Sequence, residues 1–159
     1  MNMQSNIIAI NTATAAGIHW PELTAKTDFT AGLDPIFNAG GEQIESSIGR
    51  VVTRRDNGQA LGVVGARYGV ADNGPIYQMI KEGAEVALPR EALKDIELKE
   101  TASYGGQFTR IDLLFKGLGA DIRQLSGSST QLLFKVGLTN SFNGSGSIRL
   151  FSGAEDLWC

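Results

Sequence analysis

The chain has 159 residues, 42% hydrophobic and 19% charged, with a formal net charge of −3. That makeup suits one globular domain whose core needs no disulfide or metal staple. The acidic balance argues against a protein held to polyanions by bulk charge alone. One His and one Cys exclude an intrachain disulfide and the common zinc ligand sets. No run of about 18 apolar residues is present, and no basic-then-apolar leader opens the chain. No membrane segment is therefore expected, and the expected location is the cytoplasm.

In chain order, residues 1–14 are small and polar around Ile7-Ile8-Ala9-Ile10. They read as a flexible tail, with a short edge strand as the alternative. Residues 15–159 read as one α+β domain. Trp20-Pro21-Glu22-Leu23 predicts the start of a helix, with Pro21 in its first turn and Gly32 at its end. Ile36-Phe37-Asn38, Gly40-Gly41 and Gln43-Ile44-Glu45 predict a short hairpin. Residues 47–56 and 60–70 flank Asp56-Asn57-Gly58, a strong local hairpin signal. After Asn73-Gly74-Pro75, a helix is predicted with Ile76, Met79, Ile80, Ala84 and Ala87 on its apolar face. Gly83 weakens it, and Pro89–Leu93 reads as one further helical turn.

From Asp95 the period becomes two. Ile96 and Leu98, then Ile111, Leu113 and Phe115, then Leu132, Phe134, Val136 and Leu138 form inward rows. Tyr104–Gln107 reads as a turn, Gly117–Asp121 and Ser126–Thr130 as loops, and Asn143-Gly144 as a turn into Ile148 and Leu150. The 20 glycines are spread between apolar runs and read as turns and bulges. The predicted fold is α+β: an antiparallel β-sheet built of hairpins, with one or two packed helices. The predicted core is Ile36, Val52, Leu61, Val63, Ile76, Ile80, Leu98, Ile111, Leu113, Phe115, Leu132, Phe134, Val136 and Ile148.

The run Val52-Thr-Arg-Arg-Asp-Asn-Gly-Gln-Ala-Leu-Gly-Val-Val-Gly-Ala-Arg-Tyr68, followed by Asp72-Asn73, resembles the phage/plasmid-like family called domain of unknown function 932. Ala31-Gly-Leu-Asp34, Asn140-Ser-Phe-Asn-Gly-Ser145 and Leu157-Trp-Cys159 look like further landmarks of that family. The resemblance covers most of residues 17–159. It implies a mobile-element origin, a host-cell cytoplasmic setting and no assigned reaction. The family tends to continue past this point into a more helical part.

Chemistry-bearing patterns are sparse. Asp112 and Asp121 could contribute to a carboxylate magnesium site, but scattered surface acids explain them more simply. His19 reads as a structural or solvated residue, and Cys159 as inert. Gly62-Val-Val-Gly65 and Gly117-Leu-Gly119 lack the Gly-Lys-Ser/Thr of a phosphate loop. Arg50 and Arg54 on one side of a strand, Arg55 on the other, and Arg67-Tyr68 on the partner strand are the candidate nucleic-acid residues. Arg110, Lys116, Lys135 and Arg149 fall at non-core positions of later strands. A sheet face with arginines and an aromatic can follow phosphates and stack bases; the plain alternative is a solvated face. No cofactor, metal or catalytic residue is expected. The expected function is a non-enzymatic phage or plasmid accessory protein that engages single-stranded nucleic acid, annealing-like or in DNA metabolism. The alternative is a protein-binding module that intercepts a host defence or replication factor through a sheet edge or a patch at Trp158. A homo-oligomer is a third expectation.

Overall fold

The computed structural model describes residues 17–123 and 129–156. The expected tail, part of the Ser126–Thr130 loop, Trp158 and Cys159 lie outside them. The elements are β1 (Ala31–Asp34), β2 (Arg50–Arg54), β3 (Ala60–Val64), α1 (Asn73–Ala87), β4 (Ile96–Ser103), β5 (Phe108–Arg123), β6 (Ser129–Ser141) and β7 (Arg149–Asp156). Single 3₁₀ turns occupy Arg90–Leu93 and Tyr104–Gly106. The fold class is α+β as expected, but the strands form two antiparallel sheets, β1-β2-β3 and β4-β5-β6-β7.

The four-stranded sheet is a meander with α1 on one face. Tyr77 and Ala84 of α1 pack with Leu93, Ile111, Leu113, Phe115 and Leu138. The sequence places Met79 and Ala87 on the buried stripe, yet Met79 is exposed and the stripe centres on Tyr77. Tyr77 turns it: its hydroxyl reaches the core rim and donates to the Pro21 carbonyl at 2.6 Å. Burial pushes the phenol pKa up to about 12, with the Glu100 carboxylate adding to the rise.

The predicted helix from Trp20 to Gly32 does not form. Residues 18–24 run irregularly, 25–27 form a turn, and Gly32 lies in β1. Long-range partners replace helical bonds there. Glu100 accepts from the Thr24 backbone N–H and the Thr27 hydroxyl. Trp20 donates to Glu85 at 2.7 Å and meets Phe115 edge-on. Tertiary satisfaction of the backbone overrides a weak local preference.

The three-stranded sheet has its own core of Phe29, Ala31, Val52, Leu61, Val64 and Phe142. Val63, predicted inside, is 66% exposed. Val52 pairs with Gly62 but Thr53 pairs with Ala60, so Leu61 is an extra residue in β3. That bulge reverses the side-chain parity, turning Leu61 inward and Val63 outward. Ile148, also predicted inside, is 40% exposed because it precedes β7. The hairpin predicted at residues 36–45 reduces to one bridge, Phe37 with Gln43. Gly117–Asp121, predicted as a loop, belongs to β5. Phe115 pairs with Phe134 and Gly119 with Leu133, so residues 116–118 bulge out of one continuous strand.

Candidate functional site

Four of the five candidate residues are engaged within the chain. Arg50 and Arg54 do share one side of β2, but Val52 between them is fully buried, so that side is the core side. Arg54 donates to Asp56 at 2.9 and 2.5 Å, to the Gly105 carbonyl at 2.9 Å and to the Ala25 carbonyl at 3.1 Å. Its guanidinium lies 3.9 Å from the Phe29 ring centroid. The hydrogen bond from Arg54 holds the Asp56 carboxyl below its ordinary pKa. Arg50 donates to the Ala66 carbonyl at 2.7 Å. Arg55 pairs with Asp34 at 2.9 Å; the Thr53 side chain and then Arg55 hold that carboxyl low. The Tyr68 hydroxyl donates to the Ser141 carbonyl at 2.6 Å, and burial raises its pKa. Arg67 is exposed and has no ion-pair partner among the described residues. The hairpin does not assemble a phosphate-facing row.

The segments singled out in the sequence nevertheless converge. The Ala31 N–H bonds the Asp72 carboxylate at 3.0 Å. The Asn140 amide donates to Asn73 at 3.0 Å and to the Ala71 carbonyl at 2.8 Å. Asn73 in turn donates to the Thr27 carbonyl and the Thr109 hydroxyl. Gly62 lies against Asn143, and Tyr68 caps Ser141. These contacts join the two sheets at a saturated polar junction, so the motif residues are architectural there.

The face of the four-stranded sheet opposite α1 carries the later cations. Arg110, Thr139 and Arg149 stand opposite one another across β5, β6 and β7. Lys99, Asp112, Gly137 and Phe151 form the adjacent row. The Phe151 ring covers Gly137 so closely that a Cβ on residue 137 would lie 2.1 Å from it. Arg110 sits 5.3 Å from the ring centroid and donates to Asp112 at 2.7 Å. Lys99 and Lys135 both donate to Glu155, at 2.7 and 2.9 Å. These bonds lower the Glu155 pKa, and the Glu155 bond raises that of Lys99. Arg149 is exposed and has no ion-pair partner among the described residues. Asp112 is buried rather than a surface acid, and its Oδ1 has no hydrogen-bond partner. An aromatic ring, a guanidinium without an ion pair among the described residues and three tethered cations thus share one face.

A second feature lies on the helix side. An apolar groove of about 360 Å³ runs between α1 and β6–β7, lined by Ile80, Ala84, Ala87, Phe134, Val136 and Leu150. It borders β7, an edge strand of the sheet. At the other end, Tyr104 is 82% exposed with φ of 51°, a left-handed conformation otherwise taken only by glycines among the described residues.

Among the described residues no three His, Cys, Asp or Glu side chains group as metal ligands, and no helix is long and apolar enough to cross a membrane. Scans against protein-family models, curated proteins and solved structures return no match. Sequence reasoning missed Phe151, whose signal was the small Gly137 facing it, a pairing that depends on register. It also missed Lys99, whose partner Glu155 lies 56 residues away.

Proposed function

We propose that this chain is a non-enzymatic accessory protein that engages single-stranded nucleic acid on the face of its four-stranded sheet opposite α1, around Phe151 and Arg149. The observation that carries the reading is the Phe151 ring lying over Gly137 beside Arg110, on the face that also bears Arg149, exposed and without an ion pair among the described residues. Aromatic stacking on bases is sequence-tolerant, and flanking cations follow the phosphates. In this reading Phe151 stacks, and Arg149, Lys99 and Lys135 meet phosphates. Arg54 is the organiser of a turn, not a phosphate ligand. The resemblance of residues 52–73 to the phage/plasmid-like family supports a mobile-element setting for that activity.

Fluorescence anisotropy with a labelled single-stranded oligonucleotide tests it. Binding is expected at low salt, with a log–log salt slope of about −0.7 per phosphate contact. Phe151→Leu, which keeps the apolar cover but not the π face, should weaken it about tenfold. Arg149→Ala should flatten the salt slope, whereas Arg67→Ala should leave it unchanged. Absence of binding at low salt would overturn the reading.

The apolar groove beside β7 favours a second reading, a module that binds a protein. Capture of a host factor by the wild-type chain, lost on Leu150→Asp, would favour it.

A further inference from the structure

We propose that β7 is a self-association edge, on which a second copy of this chain adds its own β7 antiparallel to extend the four-stranded sheet to eight strands. This goes beyond the nucleic-acid reading and does not depend on it; the two compete for Arg149, which Glu155 engages in the dimer and which meets phosphates only in the single chain. Among the described residues β7 ends the sheet order and pairs only with β6, so one flank of its backbone faces no described strand. Facing residues in an antiparallel pair share a side of the sheet, which fixes the allowed registers. In β7, Leu150, Ser152 and Ala154 lie opposite Leu138, Val136 and Phe134 on the helix side. Arg149, Phe151, Gly153 and Glu155 lie on the side opposite α1.

A twofold axis through Ser152 keeps each side intact and makes the strand self-complementary. Leu150 then faces the small Ala154 of the second copy, and Phe151 faces Gly153, so each bulky side chain meets a small one. Arg149 faces Glu155, pairing a guanidinium that has no ion pair among the described residues with a carboxylate. That carboxylate already accepts from Lys99 and Lys135 and retains acceptor capacity, since two oxygens offer about four lone-pair sites. The helix-side groove, floored by Phe134, Val136 and Leu150, opens beside this edge. The second copy extends that floor across the axis and covers Leu150, which is 57% exposed in the single chain. Isologous contacts of this kind close as dimers rather than filaments.

Sedimentation equilibrium on the full chain, with single-cysteine crosslinking in a Cys159→Ser background, tests the proposal. A monomer–dimer equilibrium is expected, weakened at least tenfold by Arg149→Glu, which sets like charges opposite each other. Ser152→Cys, facing itself on the axis, should form a covalent dimer under mild oxidation. Leu150→Cys should not, because its own counterpart lies four residues out of register. Both positions are exposed, so circular dichroism should report unchanged folding. A chain that stays monomeric to its solubility limit overturns the proposal. So does a dimer indifferent to Arg149→Glu, or one crosslinked by Leu150→Cys but not by Ser152→Cys.

Discussion

Gly62 and Asn143 touch backbone to backbone: a methyl group on residue 62 would lie 2.6 Å from the Asn143 Cα. Gly62 belongs to β3 and Asn143 to the turn that follows β6, so this contact joins the two sheets. Because the obstacle is main chain, it cannot swing aside. Gly62→Ala should therefore cost about 1–3 kcal/mol, as overpacking does in a tight interior. Urea unfolding would show it as a lower midpoint at unchanged slope. Gly65→Ala is the control, since an added Cβ there meets nothing within 4 Å.

Arg54 and Arg67 are both arginines of the same motif, with opposite roles. Arg54→Met keeps an apolar stem on Phe29 but removes donors to Ala25, Gly105 and Asp56. The two carbonyls lose charged donors, each worth about 1.5–3 kcal/mol. A loss of about 3 kcal/mol is expected in thermal or urea unfolding. Arg67→Ala, at an exposed site without an ion pair among the described residues, should change stability by less than about 0.5 kcal/mol.

Tyr104 holds a left-handed backbone while its ring stands in solvent. That conformation costs an L-residue about 1–2 kcal/mol and glycine almost nothing. Tyr104→Gly should accordingly raise stability, or leave it unchanged after its greater unfolded-state entropy. Tyr104→Ala keeps the strain and should not. Differential scanning calorimetry on the pair separates backbone strain from ring contacts. A fall in stability with glycine would show that the ring makes a stabilising contact.

Tyr77 makes stability depend on alkaline pH. Its folded pKa, about 12, exceeds the ordinary value of 10.0. The unfolded chain therefore ionises first, and the phenol's contribution is complete below pH 10. It drains away as pH rises from about 10 towards 12. Unfolding free energy measured across that window should fall more steeply for the wild type than for Tyr77→Phe. The variant should also be less stable at neutral pH by about 1 kcal/mol, from the lost bond to Pro21.

Glu155 works in the opposite direction. Lys99 and Lys135 lower its pKa from 4.5, so its contribution is full above that value and disappears as pH falls through the lowered one. Glu155→Gln should flatten the acid limb of the stability profile. A profile unchanged by that substitution would mean the pair is screened by solvent.

The β-rich second half was legible because period-two alternation survives wherever one face is buried: Ile111, Leu113, Phe115 and Leu138 are all in the core. The Asp56-Asn57-Gly58 turn was legible because Gly58 takes φ of 72°, a conformation its type prefers. Two kinds of information were not local. The bulges at Leu61 and at residues 116–118 change parity or count, and no residue type announces them. The absent helix after Trp20 depends on Glu85, Glu100 and Tyr77, all more than 50 residues away. The arginine row on β2 misled for a related reason. The predicted core already held Val52, which shares a side of β2 with Arg50 and Arg54, so the same alternation that buried Val52 also turned those arginines inward, where they need partners. Asp56, Ala25 and Gly105 provide them for Arg54.

Asn73 is the first residue of α1 and has no solvent exposure. Its amide holds the segment before β1, the start of β5 and the end of β6 at once. Strands of four and five residues, as in the small sheet, have little independent persistence. Tied to the rest of the fold by the Ala31–Asp72 bond, the Arg54–Gly105 bond and the Gly62–Asn143 contact, with the Asn73 carboxamide beside them, they should lose amide protection in step with the large sheet, so that hydrogen exchange registers a single opening event rather than an early fraying of the N-terminal strands.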